Sequence, residues 1–155
     1  MPSMNLLPDW APNIHPLIVH FPIGLLLMAA VVDGAALILR CNRSLRMVAT
    51  VAYVGGTLTL IAAYFSGRSA AEIIWLPGMA HAAIRDHWDM GLRALWFFVI
   101  LTAIRLVLLA WFRSPRPIVV GALVIAGAVG VILIGQTAER GGRLVYELGV
   151  GVLQR

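Results

Sequence analysis

Asn13-Ile14-His15-Pro16-Leu17-Ile18-Val19-His20-Phe21-Pro22-Ile23 opens an apolar run that continues to Leu39. The run is long enough to cross a bilayer as a helix, which needs about 20 apolar residues. Its entrance is unusual. Histidine is costly in hydrocarbon and rare in spans, so two at one helix mouth require an explanation. Pro16 suits a first helical turn, where its missing N–H costs nothing. His15 then lies just outside the helix and His20 about one turn inside. Pro22 cannot donate to the carbonyl of Ile18, so a bend near His20 is predicted.

Three further apolar runs follow, and the whole chain matches the first. Of its 155 residues, 61% are hydrophobic and 12% charged, with a mean hydropathy of +0.90. A soluble four-helix bundle needs a polar face on every helix, and long stretches here have none. The reading is an all-α integral membrane four-helix bundle. The predicted spans are 16–39, 47–65, 88–112 and 118–136, with a glycine-rich, mildly amphipathic tail over 137–155. Residues 1–155 form one domain. An amphipathic piece, Ala70 to Leu76, and a Pro77-Gly78 break fill the connection between spans 2 and 3. A helix is predicted to restart near Met79. Small residues at Ala122, Ala126 and Gly130, and at Ala30 and Gly34, are expected to let helices approach closely.

Charge excludes several function classes. The net charge is +5, and every basic residue is arginine. Without lysine there is no Schiff base and no phosphate-binding loop. No nucleophile–base pair stands out, so an electron-transfer or accessory subunit is favoured over a stand-alone enzyme. The arginines sit in short turns between apolar runs, which reads as membrane topology rather than nucleic-acid binding. Arg40, Arg43 and Arg46 fill one turn, and Arg113 and Arg116 another, with no acid in either. The positive-inside rule puts both turns in the cytoplasm and both termini outside. The first 15 residues carry no positive charge, so span 1 is expected to be its own retained insertion signal. Cys41 is the only cysteine, which precludes an intrachain disulfide.

This topology gathers all four histidines, His15, His20, His81 and His87, at the non-cytoplasmic end. Counting from the basic turns, His87 lies roughly 9 Å above the level of His20 and close to that of His15. The same count puts Asp33 and Arg105 at matching depth, and an interhelical ion pair is predicted. Its expected role is structural, because an unpaired charge there costs a few kcal/mol or more. Tyr53, Thr57 and Thr59 read as packing hydroxyls. Trp10, Trp75 and Trp88 read as an outer aromatic belt and Trp111 as the inner one. Cys41 is expected to be inert.

The string His15-Pro16-Leu17-Ile18-Val19-His20-Phe21-Pro22, the pair Ser66-Gly67, His87-Trp88-Asp89-Met90-Gly91 and the tail Gly141-Gly142-Arg143-Leu144-Val145-Tyr146 together resemble a bacterial family of small membrane proteins. That family is catalogued as domain of unknown function 2231. The resemblance covers nearly the whole chain. It implies four spans in a bacterial plasma membrane, with histidines matching His15, His20 and His87. Relatives fused to c-type cytochrome domains imply a redox setting. Many relatives carry a histidine where this chain has Glu139.

Three functions fit the histidines. The first is haem b, held between His20 and His87, with His15 as the substitute for His20. Phe21 and Trp88 are expected to supply apolar walls, and Arg85, Arg140 and Arg143 the cations for the propionates. Asp89 is a candidate acceptor for a ligand's second ring N–H. Electron partners would be a quinol, a c-type cytochrome or a larger membrane complex. The second is a Zn or Cu site built from His15, His20 and His87 with Glu139 or Asp89. The third is a structural accessory subunit of a larger respiratory or photosynthetic complex. His81 falls outside the family pattern and reads as an interfacial residue. The Gly141-Gly142 pair reads as a turn.

Overall fold

A computed structural model describes residues 13–39, 42–73, 78, 80–112 and 116–151. Trp10, Arg40, Cys41, Trp75, Pro77 and Arg113, named above, lie outside the described residues.

The described residues form five helices in order: α1 (His15–Ile18), α2 (His20–Ile38), α3 (Arg43–Ile73), α4 (Ala80–Trp111) and α5 (Pro117–Tyr146). α1 and α2 are two parts of one span. Asn13 Oδ1 accepts the His15 N–H at 3.0 Å and starts the first turn. Pro22 has no N–H for the Ile18 carbonyl, and the next bond, Ile23 N–H to Val19, is stretched to 3.5 Å. Val19, between the two parts, keeps helical dihedrals (φ −61°, ψ −24°), so the lengthened bond loosens the helix beside His20 without breaking it.

The chain is a multi-pass membrane protein: four helices, His15–Ile38, Arg43–Glu72, Ala80–Trp111 and Pro117–Tyr146, are long and apolar enough to span. Their patterning is inverted relative to a soluble bundle. Val31, Val51, Ile100, Ile125 and Ile132 face outward, while Asp33, Thr50, Thr57, Thr102 and Arg105 are buried. Lipid accepts the first set, and only the bundle interior can satisfy the second.

Two boundaries differ from the sequence reading. α3 does not stop at residue 65; the amphipathic piece up to Ile73 is its continuation. α5 does not stop at residue 136; it runs on to Tyr146, so the tail's Gly141-Gly142 is helix and not a turn. At 30 to 32 residues, α3, α4 and α5 are about 45–48 Å long, well beyond the ~30 Å hydrocarbon core. The surplus lies at the histidine end. There Ile84 and Leu144 pack with Leu148 and Val150 in a small second core. Gly149 and Gly151, at φ 64° and 76°, turn the chain back so that Val150 N–H reaches the Leu144 carbonyl at 2.9 Å.

The helices form a ring in which α2 packs on α3, α3 on α4, α4 on α5 and α5 on α2. Leu26, Tyr53, Leu95, Phe98 and Leu123 fill its main core. Glycine sets two close approaches. A Cβ at Gly130 would lie 2.5 Å from Phe98 Cζ, and one at Gly127 would collide with the Tyr53 hydroxyl. Of the small-residue positions expected to pack in α5, Gly130 is buried and Ala126 partly so. Ala122 faces outward, and Gly127 takes the contact instead.

Candidate functional site

Packing of the described residues leaves a cavity at the histidine end of the bundle. Its volume is about 370 Å³ and it is open on one side. His15, His20, His87, Tyr64, Trp88 and Thr137 are among its lining residues, and most of its wall is apolar.

Two of the histidines are held in defined orientations. His15 Nδ1 lies 2.9 Å from Ser66 Oγ, and Ser66 spends its own proton on the Ala63 carbonyl at 3.0 Å. With its proton on Ala63, the serine oxygen serves as an acceptor for a proton on His15 Nδ1. His87 Nδ1 lies 3.1 Å from the Thr137 carbonyl, which also can only accept. The carbonyl fixes His87 as the tautomer with a bare Nε2 lone pair, and the Ser66 contact accommodates the same tautomer at His15.

The glycines explain how the rings fit. A Cβ at Gly67 would lie 2.8 Å from His15 Cε1, and one at Gly141 would lie 3.1 Å from His87 Cε1. Each imidazole packs on a bare stretch of helix backbone. Ser66 and Gly67 thus form one unit: the serine orients His15 and the glycine makes room for it. Gly141 has the same relation to His87.

The other expected site residues divide. His20 lines the cavity but is exposed and makes no hydrogen bond to a described residue. His81 is exposed, outside the cavity, and contacts the Gly78 carbonyl at 3.3 Å. Trp88 lines the cavity, whereas Phe21 is 57% exposed and forms no part of the wall. Asp89 and Glu139 are exposed and do not line it, and the ring N–H groups go to Ser66 and Thr137 instead of Asp89. Arg140 is paired with Asp86 at 2.8 Å and Arg143 with Glu147 at 3.1 Å. Arg85 is exposed, and none of these three arginines lines the cavity. A cation that the sequence reading did not place at the site does touch its wall: Arg68 sits 5.2 Å from the Trp88 ring centroid. Its place one residue after Ser66-Gly67 was the available signal.

Among the described residues no group of three His, Cys, Asp or Glu side chains is arranged to hold a metal ion. The site therefore offers two fixed imidazole donors in an apolar setting, with a third imidazole at its edge.

Comparison with known proteins agrees with the motifs. A family model described as a predicted membrane protein (DUF2231) matches residues 11–154. The chain belongs to the DUF2231 family. No curated protein and no solved structure gives a significant match. Within this DUF2231 protein, the motifs His15-Pro16, Ser66-Gly67, His87 and Gly141-Gly142 come from four different stretches and converge on the one cavity.

Proposed function

We propose that this DUF2231 protein is a small electron-transfer protein or subunit that holds a b-type haem at the histidine cavity, with His15 and His87 as its ligands. One observation carries the reading: two imidazoles from different helices are each anchored through Nδ1 at one apolar cavity. Metal-ligating histidines characteristically donate their other ring N–H to a fixed acceptor in this way. Donor count favours haem over bare Zn or Cu. A structural Zn site takes four protein ligands and a catalytic one three, whereas haem brings its own four nitrogens and needs two axial imidazoles.

The cavity sits at the lower end of the ligand-pocket range of about 300–1,000 Å³. Its open side leaves room for the edge of a larger flat group. Trp88 would form part of the wall, with the Arg68 guanidinium over its ring. Bound haem would supply one-electron chemistry. The chain's own residues would orient the two imidazoles through Ser66 and Thr137, line the site with apolar side chains and offer His20 at the mouth.

The arginine turns support a topology with both termini and the cavity on the extracytoplasmic side of a bacterial plasma membrane. Electrons would then be exchanged there with a quinol or a c-type cytochrome. The test is a reduced-minus-oxidised visible spectrum of the purified, detergent-solubilised chain. A Soret band with a sharp reduced α-band of six-coordinate bis-imidazole haem is expected. A colourless protein from haem-replete cells would overturn the reading.

A further inference from the structure

Below the cavity, the inward face of α3 carries polar groups through the thickness of the bundle. Arg46, Thr50, Tyr53, Thr57, Leu60 and Tyr64 recur at spacings of four and three, which puts them on one face. From residue 46 to residue 64 the climb is about 27 Å, close to the ~30 Å hydrocarbon core. Arg46, Thr50, Tyr53 and Thr57 are all buried, and Leu60 and Tyr64 line the cavity. Leu60 alone lacks a polar group.

The polar groups form two hydrogen-bonded clusters, one around Arg105 and one at Thr57. Thr50 Oγ1 donates to the Arg46 carbonyl at 2.8 Å and faces Arg105 Nη2 at 3.4 Å. Arg105 is paired with Asp33, and its guanidinium lies 4.5 Å from the Tyr53 ring centroid. One turn higher, Thr57 and Thr102 share a hydrogen bond of 2.8 Å. A purely structural network in lipid satisfies every member, because an unpaired buried polar atom is costly. This one leaves two over: the Tyr53 hydroxyl, on a fully buried side chain, and Arg105 Nε. Orphaned buried polar atoms of this kind are the usual marks of internal water.

We propose that this stripe is a proton-transfer path, completed by internal water at Tyr53 and Arg105, leading from the basic-turn end of the bundle to the histidine cavity. Each hydroxyl or water accepts a proton on a lone pair and releases its own, so one O–H bond forms as another breaks and nothing is oxidised or reduced. The Arg105–Asp33 pair sits beside the path with no net charge. Leu60 is the gap, one turn above Thr57 and at the cavity floor. The path depends on groups beneath the cavity and operates whether or not a haem is bound above it.

The experiment uses the full chain as purified, reconstituted into phospholipid vesicles with a trapped pH-sensitive dye and an inside-negative potassium diffusion potential. Wild type is expected to acidify the lumen faster than protein-free vesicles do. Thr57→Val and Tyr53→Phe, which change shape little, are expected to return the rate to the protein-free level, and Leu60→Ser to raise it above wild type. A wild-type rate equal to that of empty vesicles overturns the path. So do Thr57→Val and Tyr53→Phe variants that, with unchanged thermal unfolding, conduct like wild type. A visible spectrum of the same samples reports the haem reading separately.

Discussion

Arg105 and Asp33 meet across a diagonal of the bundle, on helices α4 and α2 that are not packing neighbours. The contact is bidentate, Nη1 to Oδ2 at 2.5 Å and Nη2 to Oδ1 at 2.8 Å, and both side chains are almost wholly buried. The second diagonal crosses it. Tyr53 of α3 extends its hydroxyl against Gly127 of α5, and the guanidinium lies over its ring. The charged pair therefore ties together two helices that share no backbone contact, with an aromatic plate beneath it.

Removing one partner should cost far more than removing both. Asp33→Ala or Arg105→Ala leaves an uncompensated charge in the bundle centre, and a loss of about 3–5 kcal/mol is expected. The double variant Asp33→Leu/Arg105→Met replaces the pair with apolar groups and should lie closer to wild type. Unfolding in detergent measures all three. Single variants as stable as wild type would mean that the pair does not hold the helices.

Gly127→Ala places a methyl group where the Tyr53 hydroxyl lies, and overpacking of this kind costs about 1–3 kcal/mol. Tyr53→Phe removes the clashing oxygen, so Gly127→Ala/Tyr53→Phe should recover most of that loss. Thermal unfolding of the four proteins forms the cycle. A Gly127→Ala defect that Tyr53→Phe leaves untouched would place the steric conflict elsewhere.

The arginine count predicts an orientation. Residue 44 lies between Arg43 and Arg46 and is expected in the cytoplasm. A reporter fused there should be active only if it responds to the cytoplasm, and one fused after residue 151 only if it responds to the outside. The reverse pattern would move the histidine cavity to the cytoplasmic face.

The spans and the ion pair were legible because lipid simplifies the physics. An apolar run of span length has few other readings, and two lone charges at equal depth have few other partners. The helix ends were less legible. Beyond the hydrocarbon, α3 and α5 continue through mixed sequence, where glycines at 141 and 142 read as a turn. Within the helix, Gly141 is a packing glycine: the His87 ring occupies the space that a side chain there would need. The depth count already put His87 level with His15 and not with His20. Which imidazoles are anchored, however, depends on Ser66 and the Thr137 carbonyl, 51 and 50 residues away in sequence, and no local pattern encodes that pairing. Arginines 85, 140 and 143 shared the right end of the bundle with the cavity, but their carboxylate neighbours and outward faces were not visible in composition.

The histidines can be ranked by what holds them. His15→Ala and His87→Ala each remove a ring that is hydrogen-bonded through Nδ1, and haem is expected to be lost with the fold retained. His20→Ala removes a ring with no such bond, and the spectrum should persist. Gly67→Ala is the finer test, because it leaves every imidazole in place. Its methyl group would sit 2.8 Å from His15 Cε1, so the ring must shift and its Nε2 lone pair is re-aimed. Gly141→Ala, at 3.1 Å from His87 Cε1, should act in the same direction but more mildly. Both are expected to weaken haem retention during purification while helical content stays constant, and Gly142→Ala, whose Cβ would meet only Tyr146 at 4.0 Å, should not. Haem-to-protein ratios for the three alanine variants would show the order directly. A Gly142→Ala defect equal to that of Gly67→Ala would mean that helix flexibility, and not the seating of the imidazoles, governs the site.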